Sequence, residues 1–150
     1  MAHSHAKLLY HCIFSTKGRA RSLEKPVRLR LEEYLVGIAR NHDAHLLCVG
    51  GADDHIHLLI ELNASTPIAE MMRTVKAVSS KWIHETFTQL HGFAWQTGYG
   101  AFSVSISAVE EVSRYILNQE DHHRRRSFEE EYLSFLQRHG IRYDERFVLD

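Results

Sequence analysis

The chain has 150 residues, 44% of them apolar and 25% charged, with a formal charge of −1. That length and balance fit one soluble globular domain around a single core. The near-neutral charge excludes a protein that gathers nucleic acid through bulk positive charge alone. No apolar run is long enough to span a membrane, and the polar start Met1-Ala2-His3-Ser4-His5 is not a signal peptide. A cytoplasmic protein with no membrane partner is expected. Cys12 and Cys48 sit in apolar, strand-like runs and read as reduced core residues.

In chain order, Leu8 to Ser15 is apolar, aromatic and β-branched, which predicts a strand. Pro26 can open a helix carrying Val27, Leu31, Leu35 and Ile38 at helical spacing, with the pattern stopping near Asn41-His42. Leu46 to Val49 is a second strand, Gly50-Gly51-Ala52-Asp53 a turn signal, and Asp54 to Leu62 a third strand. Ile56, Leu58, Ile60 and Leu62 share one face of that third strand. Thr66-Pro67 reads as an N-cap with Pro at the first helical position. The long helix it opens carries the core stripe Ile68, Met71, Met72, Val75, Val78, Trp82 and Ile83.

Trp95 to Ser107 reads as an irregular strand or strand pair. Ser107-Ala108-Val109-Glu110 is a capping box for a further helix, and Ser127-Phe128-Glu129-Glu130 a second box for the last one, which stops near Gly140. The order β-α-β-β-α-β-α-α predicts an α+β fold. Its first six elements form a ferredoxin-like split βαβ antiparallel sheet with helices on one face, and a helical C-terminal extension follows.

His55 and His57 are two apart on the third strand, so both project from the face opposite the apolar one and their nitrogens can converge on one cation. With 12 His in 150 residues, about one His-x-His pair arises by chance, so the pattern needs its context. His3-x-His5 is a second instance and reads as a polar terminus. The alternative for His55 and His57 is a solvated pair on an open sheet face. A third ligand should be an oxygen donor. Glu61 is about 13 Å too far along the strand, and Asp54 points away and can at best support a ligand.

On the helix from Ala108, Val109, Val112 and Ile116 form the apolar stripe, and Tyr115 and Gln119 stand one turn apart on one flank. A phenol there can attack a phosphodiester and store the bond energy as phosphotyrosine, and a carboxamide oxygen can face a metal. A half-buried packing tyrosine and a surface glutamine are the plainer alternatives. Rejoining strands from such an intermediate needs no ATP, and the chain has no P-loop pattern.

Four stretches in order then carry a resemblance. They are Asp54-His55-Ile56-His57-Leu58-Leu59-Ile60; the run from Lys76 to Trp82; Trp95-Gln96-Thr97-Gly98-Tyr99; and Tyr115-Ile116-Leu117-Asn118-Gln119 followed by His122-His123-Arg124. Together they resemble the single-tyrosine HUH transposases of small insertion sequences, including the relatives associated with repeated extragenic palindromes. The likeness runs from about Lys7 to Arg126. It implies one transposase catalytic domain over residues 1–150, a single-stranded DNA hairpin as substrate, Mg²⁺ or Mn²⁺ as cofactor, and a homodimer whose sites are shared between subunits. It implies His55, His57 and Gln119 as metal ligands and Tyr115 as nucleophile. Two imidazoles suit Mn²⁺ better than Mg²⁺. Glu120 stands where some relatives have proline.

Residues 1–109 hold 11 Lys/Arg against 9 Asp/Glu, and residues 110–150 hold 7 against 10. DNA contacts must therefore come from local patches: Lys17, Arg19 and Arg21; Arg73, Lys76 and Lys81; and Arg124, Arg125 and Arg126. Two other functions fit parts of the pattern. One is a non-catalytic hairpin-binding module, which the complete set His55, His57, Tyr115 and Gln119 argues against. The other is a phosphodiesterase that activates water, which leaves the tyrosine helix unexplained.

Overall fold

Alternating apolar residues on β1 (Leu8–Ser15) and β3 (His55–Leu62) pair these strands antiparallel through the middle of a sheet ordered β2-β3-β1-β4. The edge strands are β2 (His45–Ala52) and β4 (Gly100–Val104). This is the ferredoxin-like order. The computed structural model describes residues 3–150, so Met1 and Ala2 of the polar start lie outside the described residues. His3 and His5 are exposed.

Helices α1 (Lys25–Asn41) and α2 (Ile68–Thr86) cover one face. Their stripes, Val27, Leu31, Leu35 and Ile38 on α1 and Met71, Met72, Val75 and Ile83 on α2, meet Cys12, Phe14, Ile56, Leu58, Ile60 and Leu62 in the main core. The C-terminal extension covers the other face. Helix α3 (Val109–Leu117) lies over β2, the short α4 (Gln119–His123) follows it, and α5 (Phe128–Arg138) packs Phe128, Tyr132, Phe135 and Leu136 onto Ile13 and Phe102. The histidine face of β3 is therefore not open. Cys12 lies in the main core, whereas the Cys48 thiol faces the Ser113 carbonyl of α3, and both cysteines are free.

Several boundaries differ from the sequence reading. Strand β2 runs through Gly50 and Gly51, and the hairpin turn is Asp53-Asp54. Gly50 serves a close approach instead of a turn: a Cβ there would stand 2.3 Å from the Ile116 carbonyl oxygen of α3. Helix α2 begins one residue after Pro67, and Thr66 donates to Asn63 instead of capping it. Ser107 does not cap α3 either, since its hydroxyl bonds that of Ser105. The second capping box does form, with Ser127 Oγ accepting from the Glu130 N–H at 3.2 Å. After α5 the chain turns at Gly140, φ +64°, as a left-handed glycine should. Among the described residues no helix is long and apolar enough to cross a membrane.

Candidate active site

Strand alternation sends His55 and His57 to the face under the C-terminal helices, where both are fully buried. Each ring has a fixed partner on Nδ1. Asp54 Oδ1 lies 2.7 Å from His55 Nδ1, and His11 Nε2, from β1, lies 2.8 Å from His57 Nδ1. These contacts turn both Nε2 atoms toward the same space, the usual way a protein orients imidazoles for a metal. Burial favours neutral Asp54, but the hydrogen bond and charge of His55 prevail and hold its carboxyl below the ordinary range. Burial pushes His57 down to about 4 against the pull of Glu131, and burial together with His57 pushes His11 down to about 3. Both rings are thus neutral at neutral pH and can offer lone pairs.

The tyrosine helix delivers its residues across a break. Asn118, at φ −97° and ψ 21°, ends α3, and Gln119 opens α4. The predicted continuous helix is therefore two helices. Gln119 still reaches back, donating its amide to the Tyr115 carbonyl at 3.2 Å, and its Oε1 stands 3.0 Å from His55 Nε2. Glu120, in place of a proline, ties α4 to α1: its carboxylate pairs with the buried Arg28, which also holds Asp53 at 3.1 Å and the Leu23 carbonyl at 2.7 Å.

Tyr115 is half-buried over the histidines, its ring 5.8 Å from that of His57. Its hydroxyl donates to Glu131 Oε2 and lies 3.1 Å from His122 Nε2. Burial and the Glu131 charge push the phenol above its ordinary range, so it is held protonated. His55, His57, Tyr115 and Gln119 thus meet within one chain.

Sequence reasoning missed Glu131, His123 and His11. Glu131 is fully buried on α5, with Oε1 at 2.9 Å from His57 Nε2, 3.2 Å from His123 Nε2 and 3.7 Å from His55 Nε2. Burial alone would raise its carboxyl, but His123 and His57 outweigh burial and hold it ionised. Its run Glu129-Glu130-Glu131 looks like a solvated face. The available signal was position: Glu131 interrupts the stripe Phe128, Tyr132, Phe135 at helical spacing.

The donor set fits a divalent cation. Donor atoms bound at about 2.1 Å and at right angles around one ion lie about 3 Å apart, close to the separations from His57, His123 and His55 above. His55 gives its Nδ1 proton to Asp54, so a neutral ring aims a lone pair at Gln119 Oε1. Two acceptors face each other there unless a proton or cation joins them. His123 Nε2 is buried without a hydrogen-bond partner. His55, His57, His123 and Glu131 each offer one ligand atom, and these lie within 4.8 Å of one another.

The basic patches divide. A groove lined by Arg19, Arg21, Arg124 and Arg126 and by Asp53, Asp54, Glu120 and Glu129 borders the cluster at His123. Arg124 is exposed and only loosely paired with Asp121, whereas Arg19 is committed to Glu129 at 2.7 Å and the Leu149 carbonyl. A second groove, beside α2, includes Arg73, Trp95 and Tyr99. Lys76 is corrected: its ammonium donates to the carbonyls of Gln96, Thr97 and Gly98 at 2.6, 3.0 and 2.8 Å, leaving no donor for a phosphate. Lys17 and Lys81 are exposed, and Lys81 lies 3.9 Å from Glu85.

The sheet thus sets paired imidazoles beneath a phenol carried by α3, the arrangement of a tyrosine transposase fold. The model of the IS200-like transposase family matches residues 4–119, and the chain belongs to that family of DNA-binding, DNA-transposing proteins. It is 26% identical over 120 residues to the ISDra2 transposase TnpA of Deinococcus radiodurans, covering 77% of this chain and 86% of that one. The crystal structure of a protein described as a transposase from Deinococcus radiodurans R1 superposes with a TM-score of 0.65 at 27% identity, over 79% of this chain and 98% of that one. A REP-associated tyrosine transposase bound to a REP hairpin shares the fold, with a TM-score of 0.56 at 13% identity, over 77% of this chain and 68% of the other. Helix α5 lies beyond the family-matched segment.

Proposed function

We propose that the whole chain, residues 1–150, is one catalytic domain that cuts and rejoins single-stranded DNA at hairpin-flanked element ends, through phosphotyrosine at Tyr115. The observation that carries this is the Tyr115 hydroxyl donating to Glu131, whose other oxygen lies 2.9 Å from His57 Nε2 in the same chain. His55, His57 and Gln119 would hold Mg²⁺ or Mn²⁺, with the nitrogen-rich set favouring Mn²⁺. Such an ion draws charge from the scissile phosphate. Asp54 and His11 orient the two rings, and Glu131 and His122 hold the phenol proton. As the bond from Tyr115 oxygen to phosphorus forms, the bond from phosphorus to a deoxyribose oxygen breaks. The phenol proton passes to the Glu131 and His122 side, and the leaving oxygen is protonated from solvent. The reverse attack by a DNA hydroxyl restores the strand without ATP.

Arg124, Arg73 and Lys17 are the proposed phosphate contacts, with Arg19 and Lys81 at the margins. A homodimer in the cytoplasm, with active sites shared between its subunits, is the proposed assembly. The test is denaturing electrophoresis of the protein with a labelled hairpin oligonucleotide, with and without Mn²⁺. The parent forms a covalent adduct only with metal, and Tyr115→Phe forms none. An adduct that survives Tyr115→Phe rejects the nucleophile. Hairpin binding unaffected by EDTA, with no adduct under any metal, means a binding module instead.

A further inference from the structure

We propose that Glu131 and His123 are ligands of the same cation as His55 and His57, so that α5 closes a metal centre of three imidazoles and one carboxylate. The proposal rests on the metal-bearing reading above and extends it to residues beyond the family-matched segment.

Three observations carry it. The four donor atoms lie within 4.8 Å of one another, closer than separate ion pairs require. His123 Nε2 is buried 3.2 Å from Glu131 Oε1 yet makes no hydrogen bond of good geometry among the described residues. Third, every ion-pair contact of Glu131 among the described residues is to an imidazole: His55, His57, His122 and His123. No Lys or Arg reaches it. A buried carboxylate ringed by imidazoles needs protons or a metal to balance it.

The two carboxylate oxygens have different surroundings. Oε1 faces the three ligand imidazoles and Oε2 faces Tyr115 and His122. One side chain thereby links the cation site to the phenol. Four protein donors, or five with Gln119, still leave a position open on a six-coordinate ion for a phosphate oxygen. Three nitrogen donors also separate Mn²⁺ from Mg²⁺, which prefers all-oxygen surroundings and keeps its waters.

The test uses the full chain without DNA. Calorimetric titration of the EDTA-stripped protein with MnCl₂ and separately with MgCl₂ gives the affinities, and pulsed EPR of the Mn²⁺-loaded protein counts coupled ¹⁴N nuclei. We expect one Mn²⁺ per chain, bound at least about tenfold more tightly than Mg²⁺, with three imidazole couplings. Glu131→Gln and His123→Ala should each weaken Mn²⁺ at least about tenfold, and His123→Ala should show two couplings. The surface control Glu61→Gln should leave Mn²⁺ binding as in the parent. Circular dichroism in EDTA confirms that each variant is folded. Only two couplings in the parent, or a smaller loss in either folded variant, overturns the proposal. Metal binding as expected without any DNA adduct sinks strand transfer and leaves this centre standing. An adduct in the parent with unchanged Mn²⁺ affinity in both variants sinks this centre alone.

Discussion

Asp54 and His11 decide which nitrogen each site histidine presents. Asp54 holds His55 Nδ1 at 2.7 Å, and His11 holds His57 Nδ1 at 2.8 Å. Neither is placed to bind a cation with those same atoms, so both act through the ligand rings. Outer-shell partners of this kind commonly contribute about 10–100-fold to metal affinity. Asp54→Ala should therefore weaken Mn²⁺ binding by about 10–100-fold while leaving the fold intact, because Asp54 sits in the part-buried hairpin turn, outside the apolar core. Titration calorimetry measures this. An unchanged affinity would mean that packing alone orients His55. At this scale much of the site was legible: strand alternation put His55 and His57 on one face, and helical spacing put Tyr115 and Gln119 on one flank. His11 was not legible, because nothing local shows that β1 lies beside β3 with His57 and His11 in diagonal contact.

Helix α5 is the element whose role the sequence concealed. The order of elements and the main core followed from periods of two and 3.6, and the structure keeps them. Where the last helix docks depends on long-range contacts that no local pattern encodes. Its apolar stripe could have faced a partner or an edge as easily as the histidine face. It lies on that face because Phe128, Tyr132, Phe135 and Leu136 complete a second core with Ile13 and Phe102. Phe135 is central there. Its ring stacks on Phe102 and meets His11 and Tyr115 edge-on at 5.1 and 5.8 Å. Phe135→Ala should cost about 3 kcal/mol, the lower end for a buried aromatic, since some neighbours can relax. Urea unfolding reads that loss. Because α5 also delivers Glu131, the same variant should weaken Mn²⁺ binding, whereas a loss of stability with full metal affinity would show that Glu131 is positioned without the core beneath it.

For the whole molecule, the acidic C-terminal third is spent internally. Glu120 pairs with Arg28 and Lys25, Glu129 with Arg19, and Glu131 with the imidazoles. The groove at the site accordingly mixes Arg19, Arg21, Arg124 and Arg126 with Asp53, Asp54, Glu120 and Glu129. With the proposed centre, stability should also depend on the cation. Without metal, the buried Glu131 carboxylate is balanced only by the imidazoles around it. A ligand that binds only the folded chain adds about 2.7 kcal/mol at 100 times its Kd. For a chain of this size that corresponds to a rise in Tm of roughly 5–10 °C. Scanning calorimetry with Mn²⁺ at that excess should show the rise, and EDTA should reverse it. Glu131→Gln removes a carboxylate that its imidazole contacts hold ionised, so the metal-free protein should melt below the parent, and the rise on adding Mn²⁺ should shrink to a small fraction. A parent whose Tm ignores both Mn²⁺ and EDTA would show that the cluster is a proton-balanced polar core, with no metal coupled to the fold.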